Sequence, residues 1–497
     1  MSIGVATLGE VNAREGEGLM TVSDKQPQRL RLGALIALVV GSMIGGGIFS
    51  LPQNIATSAG AGAVLLGWLV TGVGMLALAF VFQTLSRRKP ELDAGVYAYA
   101  KAGFGAYMGF NSAWGYWICA WIGNVSYFVL LFSSLGFFFP VFGEGNTPAA
   151  VICASVLLWL VHAMVLSGVR QAAFINIITT VAKIVPLIMF VVLALVGFKA
   201  DLFSIDIWGG EEPALGSVLD QVRNMMLVTV WVFIGIEGAS VYSSRAQNRA
   251  DVGKATVLGF VGVLALLVMV NVLSMGILSR AELAGLKNPS MAGVLEVVVG
   301  AWGAKLINVG LIISLCGALL SWTMLSAEIL CVAAKDGAMP KALARTNSRG
   351  SPRGALWLSN SLIQLFLIIT LYSSGTYLDL LYLGSSMILL PYFWTAFYAL
   401  MLCLRGETYG DNDRVRGKDF AIALVAVLYS LWLVYAGGVK YLLLSSILYA
   451  PGAVVFAIAR REQGERVFTP LETGVLVVLI MAALAGIAGL YMGYLSL

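Results

Sequence analysis

The sequence predicts an all-α, polytopic membrane protein, and three observations support that fold class. Of its 497 residues, 59% are hydrophobic and only 11% are charged, whereas soluble proteins carry roughly 25% charged residues. Apolar runs of about 20 residues, the length of helix that crosses a hydrocarbon core, recur along nearly the whole chain. The charged residues gather in short clusters between these runs, as expected of loops at a membrane surface.

Thirteen apolar stretches are candidate transmembrane helices, and lysine and arginine concentrate in alternate connections between them. Under the positive-inside rule this asymmetry places the amino terminus in the cytoplasm and, after thirteen crossings, the carboxyl terminus on the periplasmic side. Residues 1–29 are polar and lack the short apolar core of a signal peptide, so we interpret them as a cytoplasmic tail. The predicted spans are 33–57, 62–84, 104–138, 148–168, 174–198, 220–243, 255–278, 300–333, 354–373, 378–404, 419–437, 441–459 and 473–495.

Charge and composition exclude several classes of function. The net charge of +5 does not indicate a nucleic-acid-binding protein, because the basic residues are distributed over short loops between spans. The five cysteines lie in apolar stretches without paired or metal-like spacing, which predicts neither a disulfide framework nor a zinc site. A single histidine and the lack of a Gly-rich phosphate loop speak against a membrane-embedded enzyme. We therefore expect no metal and no cofactor.

Two of the predicted spans carry signals for a helix break. Span one contains three consecutive glycines at 45–47, near mid-span, and each costs about 1 kcal/mol of helix propensity relative to alanine. Span six contains Gly235 and Gly238 on either side of Glu237. Spans one and six lie an odd number of spans apart and enter the membrane from opposite sides. This is the arrangement expected of two inverted five-helix repeats.

The two breaks also indicate the type of ligand. An interrupted helix leaves N–H groups unpaired at one half-helix end and carbonyl groups unpaired at the other, which is tolerated where they line a cavity. The N–H groups bind a carboxylate and the carbonyls bind an ammonium, and an α-amino acid carries both groups on one carbon. Two facing breaks therefore favour an amino acid over a sugar, a lipid or a metal ion.

Several motifs, in order along the chain, resemble those of the amino acid–polyamine–organocation (APC) superfamily. They are GSMIGGGIF at 41–49, YWICAWIGN at 116–124, VWVFIGIEGAS at 230–240, SWT at 321–323, KDG at 335–337 and PYFWT at 391–395. The resemblance covers residues 30–460 and is strongest to the basic amino-acid and polyamine exchangers, the arginine–ornithine antiporters in particular. It implies a LeuT-like five-plus-five inverted repeat with discontinuous helices one and six. The first repeat would occupy 30–200, the second 215–405, and three additional helices 415–497.

The resemblance also implies roles for individual residues. Gly46 and Gly384 depart from the pattern of the arginine–agmatine exchangers, which have a serine at the first break and another serine that meets the guanidinium. The implied substrate-contacting residues are Met43, Gly46, Gly47, Cys119, Asn124, Trp231, Ile234, Ser385 and Ser386. The implied gate residues are Tyr116, Glu237 and Tyr392 on the inner side and Trp322 as an outer lid.

Ionisable residues inside spans cost at least about 2.5 kcal/mol near the bilayer centre and are functional candidates by default. Glu237 is expected to pair a cationic substrate, to sense pH or to link gate residues; a structural hydrogen bond to the broken backbone is the alternative. Lys183 is expected to hydrogen-bond the carbonyls released at 41–45, with a purely structural contact between helices as the alternative. The resemblance suggests that this lysine replaces a sodium ion that joins spans one, five and eight in related transporters. Glu328 would oppose Lys183 or line the inner exit path, with an interhelical polar contact as the alternative.

The function implied by the resemblance is 1:1, electroneutral exchange of extracellular L-arginine for intracellular L-ornithine, by alternating access in a bacterial inner membrane. Alternatives are exchange of lysine or polyamines, and proton-coupled uptake that uses Lys183 or Glu237. A channel is disfavoured because facing breaks and aromatic lids suit alternating access. The expected partners are small cationic amino acids and the lipid bilayer, without nucleic acid. The oligomeric state is open, with a homodimer as one option.

Overall fold

The structure is a computed structural model that describes residues 31–92, 95–205, 207–209, 215–237, 247–372, 377–410 and 413–495. The predicted tail at 1–29 lies outside this part of the chain. Within it the secondary structure is helical, without strands, which confirms the all-α class. The helices, numbered in chain order, are α1 (Leu32–Met43), α2 (Gly47–Ala56), α3 (Ala61–Arg88), α4 (Val96–Phe104), α5 (Ala106–Gly136), α6 (Pro148–Ser167), α7 (Val169–Gly197), α8 (Ala200–Ser204), α9 (Val218–Trp231), α10 (Arg249–Met275), α11 (Arg280–Ala284), α12 (Ser290–Val299), α13 (Ala301–Lys335), α14 (Arg353–Ile369), α15 (Tyr377–Arg405), α16 (Asp413–Tyr449), α17 (Gly452–Glu462) and α18 (Pro470–Tyr491).

Each of the thirteen predicted spans contains helix, but fewer helices qualify as membrane spans by length and apolarity. Among the described residues, eight helices qualify, or nine if the bent pair α1–α2 counts as one span. Several predicted spans are not counted because the helix is short or because two of them run together. The helices α9 and α14 are short, with 14 and 17 residues. The run from Asp413 to Glu462 counts once, although left-handed backbone at Gly438 divides it. The number thirteen therefore stays a prediction.

The helix α5 lies at the centre of the molecule. It packs against α4, α13 and α15, and 89% of its apolar stretch is buried, compared with 11% of that of α18. The sequence of α5 explains this position, because it interleaves aromatic and small residues and contains no charged side chain. A helix that is apolar on all sides can be buried on all sides. The exposed apolar surface of α18 is typical of a helix that faces lipid.

Glycines allow the closest helix contacts. Gly74 in α3 lies against the ring of Tyr429 in α16, and a Cβ at position 74 would collide with that ring. Gly41 in α1 faces Thr180 of α7, where a Cβ would lie 2.7 Å from the threonine hydroxyl. Helices in membranes associate through such small residues, since lipid tails remove most of the hydrophobic drive between them. Tyr429 thereby fixes α16 against α3.

Polar contacts fix several helix ends. Arg88, at the end of α3, lies 3.2 Å from the carboxylate of Asp419 near the start of α16. In α4, Lys101 and Tyr97 donate to the carboxylate of Asp336, just beyond α13, at 2.7 and 2.6 Å. Burial alone would raise the pKa of the Asp336 carboxyl, but these hydrogen bonds outweigh it and hold that pKa below its ordinary value. The short helix α4 is therefore tied to the end of α13.

We expect Gly74→Ala to lower the thermal stability of the detergent-solubilised protein, because the added methyl group meets the base of the Tyr429 ring. Overpacking of this kind costs about 1–3 kcal/mol. Gly262→Ala in α10 is the matched control, since nothing lies within 4 Å of a Cβ there. Thermal unfolding followed by tryptophan fluorescence measures both variants. A Gly74→Ala protein as stable as the wild type would contradict the packing of α3 against α16.

Candidate functional site

The first break lies between α1 and α2. The helix α1 ends at Met43, α2 begins at Gly47, and the two axes differ by 44°. The last carbonyl groups of a helix have no partner within the helix. Here the Nζ of Lys183, from α7, donates to the carbonyl of Gly41 at 2.8 Å and also to that of Ile44. This contact agrees with the expectation from the sequence that Lys183 meets the carbonyls released at the break.

Lys183 is among the largest fully buried side chains, with 2% of its surface exposed. A cation at the carbonyl end of a helix is stabilised by the partial negative charge there. A second contact reaches the same break from α13, where the hydroxyl of Ser314 donates to the carbonyl of Gly45 at 3.3 Å. The helices α1, α7 and α13 therefore meet at the first break.

The second break begins where α9 ends, at Trp231. Residues 232–237 form turns instead of helix, and the rest of the predicted break, 238–240, lies outside the described residues. Gly235 has a φ of 107°, in the region that favours glycine. A Cβ there would come within 2.8 Å of the Ser42 carbonyl oxygen, and the Ser42 hydroxyl donates to the Gly235 carbonyl at 2.8 Å. The two breaks therefore touch each other.

The glycines of the first break also permit close approach by other elements. A Cβ at Gly45 would collide with the hydroxyl of Tyr127 in α5, and one at Gly47 would lie 2.9 Å from Val232 in the second break. Gly47 is the first residue of α2, and the first N–H groups of a helix lack acceptors within the helix. The N-terminal end of α2 thus lies directly beside the turns that follow α9.

A small cavity lies between α5, α13 and the second break. Its volume is about 10 Å³, which is room for one water molecule at most. Four of its six lining residues are among those predicted from the resemblance: Cys119, Trp231, Ile234 and Trp322. The complete lining is Cys119, Gly123, Tyr127, Trp231, Ile234 and Trp322.

Gly123 and Tyr127 line the cavity although neither is predicted from the sequence. They follow Cys119 by four and eight residues in α5, so the three positions share one helix face. The ring of Tyr127 lies 6.2 Å from the ring of Trp231, edge to face. A Cβ at Gly123 would lie 3.2 Å from the same tryptophan ring. The four-residue spacing from Cys119 is the signal that identifies both residues.

Trp322 lines the cavity and lies beside Tyr116. The two ring centroids are 6.4 Å apart, with the planes tilted by 31°, and Tyr116 is one of the residues predicted to close the inner side. The role of Trp322 as an outer lid stays a prediction. The motif SWT does not specify where along the 35-residue helix α13 the tryptophan meets the cavity.

Glu237 accepts hydrogen bonds from two tyrosines on different helices. The Tyr116 hydroxyl of α5 donates to Oε1 at 2.6 Å, and the Tyr392 hydroxyl of α15 donates to Oε2 at 2.9 Å. The backbone N–H of Gly235 also donates to Oε2, at 3.3 Å. A buried carboxylate is tolerated only with such partners, and at most 2% of each of the three side chains is exposed. We call Tyr116, Glu237 and Tyr392 the glutamate cluster. Three roles are expected for Glu237 from the sequence. The geometry of the cluster favours the one in which Glu237 links gate residues on different helices.

Three other predicted contact residues surround the cavity without lining it. Asn124 is fully buried and its Nδ2 donates to the Thr323 hydroxyl at 3.5 Å, while its Oδ1 has no hydrogen-bond partner in the described part of the chain. Met43 is buried at the end of α1. At Gly46, a Cβ would lie 2.7 Å from Leu130 of α5. These residues are close to the breaks, but their side chains or Cα atoms face neighbouring helices.

The two serines of α15 do not line the cavity. The Ser385 hydroxyl donates to the Leu227 carbonyl of α9 at 2.9 Å, and the Ser386 hydroxyl donates to a carbonyl of its own helix at 2.7 Å. Gly384 approaches the cavity instead, since a Cβ there would lie 2.9 Å from the Trp231 ring. The serines therefore join α15 to its surroundings.

Glu328 is exposed on α13. The acceptors of Lys183 are the carbonyl oxygens of α1, so the expectation that Glu328 opposes Lys183 is not met. The broken backbone itself compensates the buried ammonium. A place for Glu328 along an exit path stays a prediction.

A sequence model of the amino acid permease family matches residues 30–456, which include both breaks, the cavity and the glutamate cluster. The chain is 63% identical to the arginine/ornithine antiporter of Pseudomonas aeruginosa, over 96% of this chain and 100% of that protein. It is 48% identical to the L-lysine transport protein of Corynebacterium glutamicum, over 93% and 95% of the two chains. It is 43% identical to the arginine/agmatine antiporter of Chlamydia caviae, over 93% and 96%.

We expect Tyr392→Phe to increase the rate at which a small membrane-permeant maleimide labels Cys119, in a protein whose other cysteines are replaced by serine. The substitution removes a hydrogen bond to a charged group, worth about 1.5–3 kcal/mol. If that bond holds the cavity closed, the fraction of molecules whose cavity is open to the reagent rises about tenfold or more. The control is Tyr429→Phe, because Tyr429 is also a buried tyrosine but its hydroxyl forms no hydrogen bond to Glu237 or to α15. If Tyr392→Phe labels at the wild-type rate, the glutamate cluster does not close the cavity.

Proposed function

The chain belongs to the amino acid permease family, and we propose that it is an antiporter that exchanges extracellular L-arginine for intracellular L-ornithine, one for one. The substrates of this proposal come from the Pseudomonas aeruginosa relative, which is named for that exchange and is covered over its whole length. The observation that carries the mechanism is the junction of the two breaks, where the Ser42 hydroxyl donates to the Gly235 carbonyl. Each further step follows from groups around that junction.

Main-chain groups at the junction would hold the backbone of the substrate. The N–H groups at the start of α2, from Gly47 onward, suit the carboxylate, because a helix N-terminus favours negative charge. The carbonyls of the turns after α9 suit the α-ammonium, and Ile234 in these turns lines the cavity. A Cβ at Gly47 would touch Val232 in those turns, so one α-amino acid can reach both sets of groups.

The rest of the cavity suits a cationic side chain. Its aromatic members are Tyr127, Trp231 and Trp322, and a desolvated cation over such a ring gains about 2 kcal/mol. None of the lining residues carries a charge that would repel a cation. The unpaired Oδ1 of Asn124 offers an acceptor, which matches side chains such as guanidinium and ammonium that only donate.

Binding requires the cavity to open, because a volume of about 10 Å³ cannot hold an amino acid. We propose that the glutamate cluster closes the inner end of the cavity, while Trp322, with Trp231 and Tyr127, closes the outer end. Alternating access then consists of opening one end while the other stays closed. The hydrogen bonds of Glu237 to two helices and to the second break provide the inner closure in this scheme.

The proposed architecture is the LeuT-like inverted repeat. Residues 30–200 would form the first repeat, 215–405 the second, and 415–497 three additional helices, with thirteen crossings of a bacterial inner membrane. The amino terminus would be cytoplasmic and the carboxyl terminus periplasmic. Support comes from the two broken helices, which begin the two proposed repeats.

Exchange in this scheme needs no sodium and moves no net charge. Lys183 occupies the point where α1, α7 and α13 meet, and its ammonium supplies there the positive charge that a sodium ion would supply. Arginine and ornithine each carry one net positive charge at neutral pH. A one-for-one exchange is therefore electroneutral and is driven by the two concentration gradients.

Lysine exchange is the second candidate. It is favoured by the relative from Corynebacterium glutamicum, which is named an L-lysine transport protein. An aromatic cavity with a single amide acceptor can receive an ammonium as well as a guanidinium. The two candidates therefore differ in side-chain preference and share the recognition of the substrate backbone.

We expect purified protein in liposomes loaded with ornithine to accumulate labelled arginine much faster than protein in empty liposomes, because reorientation requires a bound substrate. An imposed membrane potential should leave the rate unchanged, because arginine and ornithine carry the same charge. Replacement of sodium by choline should also leave it unchanged, because Lys183 supplies the positive charge at the first break. Liposomes loaded with lysine or agmatine measure the preference among basic solutes.

Equal arginine uptake into empty and ornithine-loaded liposomes would refute exchange. Faster exchange with lysine than with ornithine would favour the second candidate. A strong dependence on voltage would refute the electroneutral form.

We expect Lys183→Ala to lower the rate of arginine–ornithine exchange by about tenfold or more, because two carbonyls of the first break lose their donor inside the membrane. Arginine affinity, measured by scintillation proximity binding, should change by less than about threefold, since Lys183 contacts α1 and not the cavity. The control is Lys305→Ala, an exposed lysine of α13. Wild-type turnover in Lys183→Ala would eliminate this role.

A further inference from the structure

The last turns of α16 contact α15, the helix that supplies one of the two tyrosines of the glutamate cluster. Ser445 and Tyr449 lie four residues apart in α16 and share one face. The Oγ of Ser445 lies 2.8 Å from the Oγ of Ser386, and the Tyr449 hydroxyl donates to the Met387 carbonyl at 3.0 Å. One face of α16 therefore holds two consecutive residues of α15.

The carbonyl that Tyr449 contacts is one that α15 cannot satisfy by itself. In an α-helix the carbonyl of residue 387 accepts from the N–H of residue 391, but residue 391 is a proline inside the helix and has no N–H. The Tyr449 hydroxyl supplies the missing donor. Pro391 directly precedes Tyr392, whose hydroxyl donates to Glu237. Tyr449 thus stabilises α15 at the turn from which Tyr392 extends.

The same hydroxyl also reaches α5, next to the other tyrosine of the glutamate cluster. A Cβ at Gly115 would collide with the Tyr449 hydroxyl and would lie 2.7 Å from the Met387 carbonyl. Gly115 directly precedes Tyr116. The same turn of α16 contacts α5 a second time, since the indole N–H of Trp114 donates to the carbonyl of Leu448, the residue before Tyr449, at 3.0 Å. Tyr449 therefore lies at the point where α5, α15 and α16 come together.

We infer that Tyr449 is a positioning residue for the closed gate: it sets the spacing of α5 and α15 so that Tyr116 and Tyr392 both reach Glu237. The inference rests on the proposed function and gives the additional helix α16 a part in it. The requirement is geometric, because the two tyrosines come from different helices and donate to opposite oxygens of one carboxylate at 2.6 and 2.9 Å. A shift of α15 relative to α5 lengthens at least one of these bonds, and hydrogen bonds weaken steeply with distance and misalignment.

A second tyrosine of α16 separates positioning from packing. Tyr429 is buried to a similar degree, with 5% exposed against 2% for Tyr449, and it also fills the space beside a glycine. Its hydroxyl interacts with Thr71 of α3 and forms no hydrogen bond to α5, α15 or Glu237. Removing the hydroxyl from Tyr429 leaves the hydrogen bonds of α15 and of the glutamate cluster intact, whereas removing it from Tyr449 leaves the Met387 carbonyl without a donor.

The test compares Tyr449→Phe with Tyr429→Phe, each in the wild-type and in the Tyr392→Phe background. We expect Tyr449→Phe to lower the maximal rate of arginine–ornithine exchange about fivefold, with KM changed less than about twofold, as expected for one lost hydrogen bond that acts on closure and not on the cavity. Tyr429→Phe should exchange at the wild-type rate. In the Tyr392→Phe background, Tyr449→Phe should have no further effect, because the bond it positions is already gone.

Labelling of Cys119 by maleimide gives a readout that needs no substrate, and Tyr449→Phe should raise that rate while Tyr429→Phe should not. If the wild-type protein does not exchange arginine for ornithine, the proposed function fails and the labelling still decides this inference. The inference is overturned if Tyr449→Phe labels and exchanges like the wild type. It is also overturned if the effects of Tyr449→Phe and Tyr392→Phe multiply, which would indicate independent, purely structural contributions.

If Tyr449→Phe does not yield folded protein, Gly115→Ala replaces it. A Cβ at position 115 collides with the Tyr449 hydroxyl, so this variant displaces the hydroxyl from the Met387 carbonyl while the tyrosine stays in the chain. Labelling of Cys119 faster than in the wild type supports the inference, and labelling at the wild-type rate overturns it.

Discussion

Carbonyl groups released in the middle of a membrane helix must find donors, and in this protein a buried lysine provides them. An unsatisfied backbone group costs several kcal/mol in an apolar medium, and a buried ammonium is costly for the same reason. Lys183 joins the two, because its Nζ donates to the carbonyls of Gly41 and Ile44. The buried ammonium and the unpaired carbonyls would each be unfavourable alone, and their hydrogen bonds stabilise both. The break, the position of α7 and the contact from α13 to Gly45 all depend on this arrangement.

The second break follows the same rule with the opposite sign. Glu237 accepts from the backbone N–H of Gly235 and from two tyrosine hydroxyls. The break with free carbonyls is thus paired with a buried cation, and the break with a free N–H is paired with a buried anion. Neither charged group is among the residues that line the cavity. The cationic substrate proposed above would therefore be received by neutral groups, the aromatic rings and helix-end dipoles, which would suit the exchange of one cation for another.

The sequence predicts the chemistry of this site better than its geometry. The breaks and the contact of Lys183 follow from the price of charges and of unpaired backbone in lipid, which residue type and depth along a span largely determine. The contact of Trp322 with the cavity, and the exposure of Glu328, depend on the rotation of α13 about its axis. That rotation is set by tertiary packing, such as Gly317 against Thr179, and a single sequence does not specify it.

The number of spans is also predicted only in part from the sequence. Hydropathy finds the apolar stretches, but a short helix such as α14 and a helix divided at Gly438 differ in length from a regular crossing. The sequence predicts the location of Gly123 and Tyr127 only in part. Their four-residue spacing from Cys119 is visible in the sequence, but only the contact of α5 with the second break makes that face functional.

The helix α5 provides the fixed frame against which the breaks can move. It is buried along most of its length, and one of its faces runs from Tyr116 in the glutamate cluster to Tyr127 beside the first break. Residues of the single helix α5 therefore contact both the glutamate cluster and the first break. We expect bending at the non-helical segments 44–46 and 232–237. Because Lys183 holds the end of α1 against α7, bending at the first break has to move α2 more than α1. The helix α2 begins with the N–H groups proposed to bind the substrate carboxylate, so a bound substrate would couple directly to the half-helix that moves.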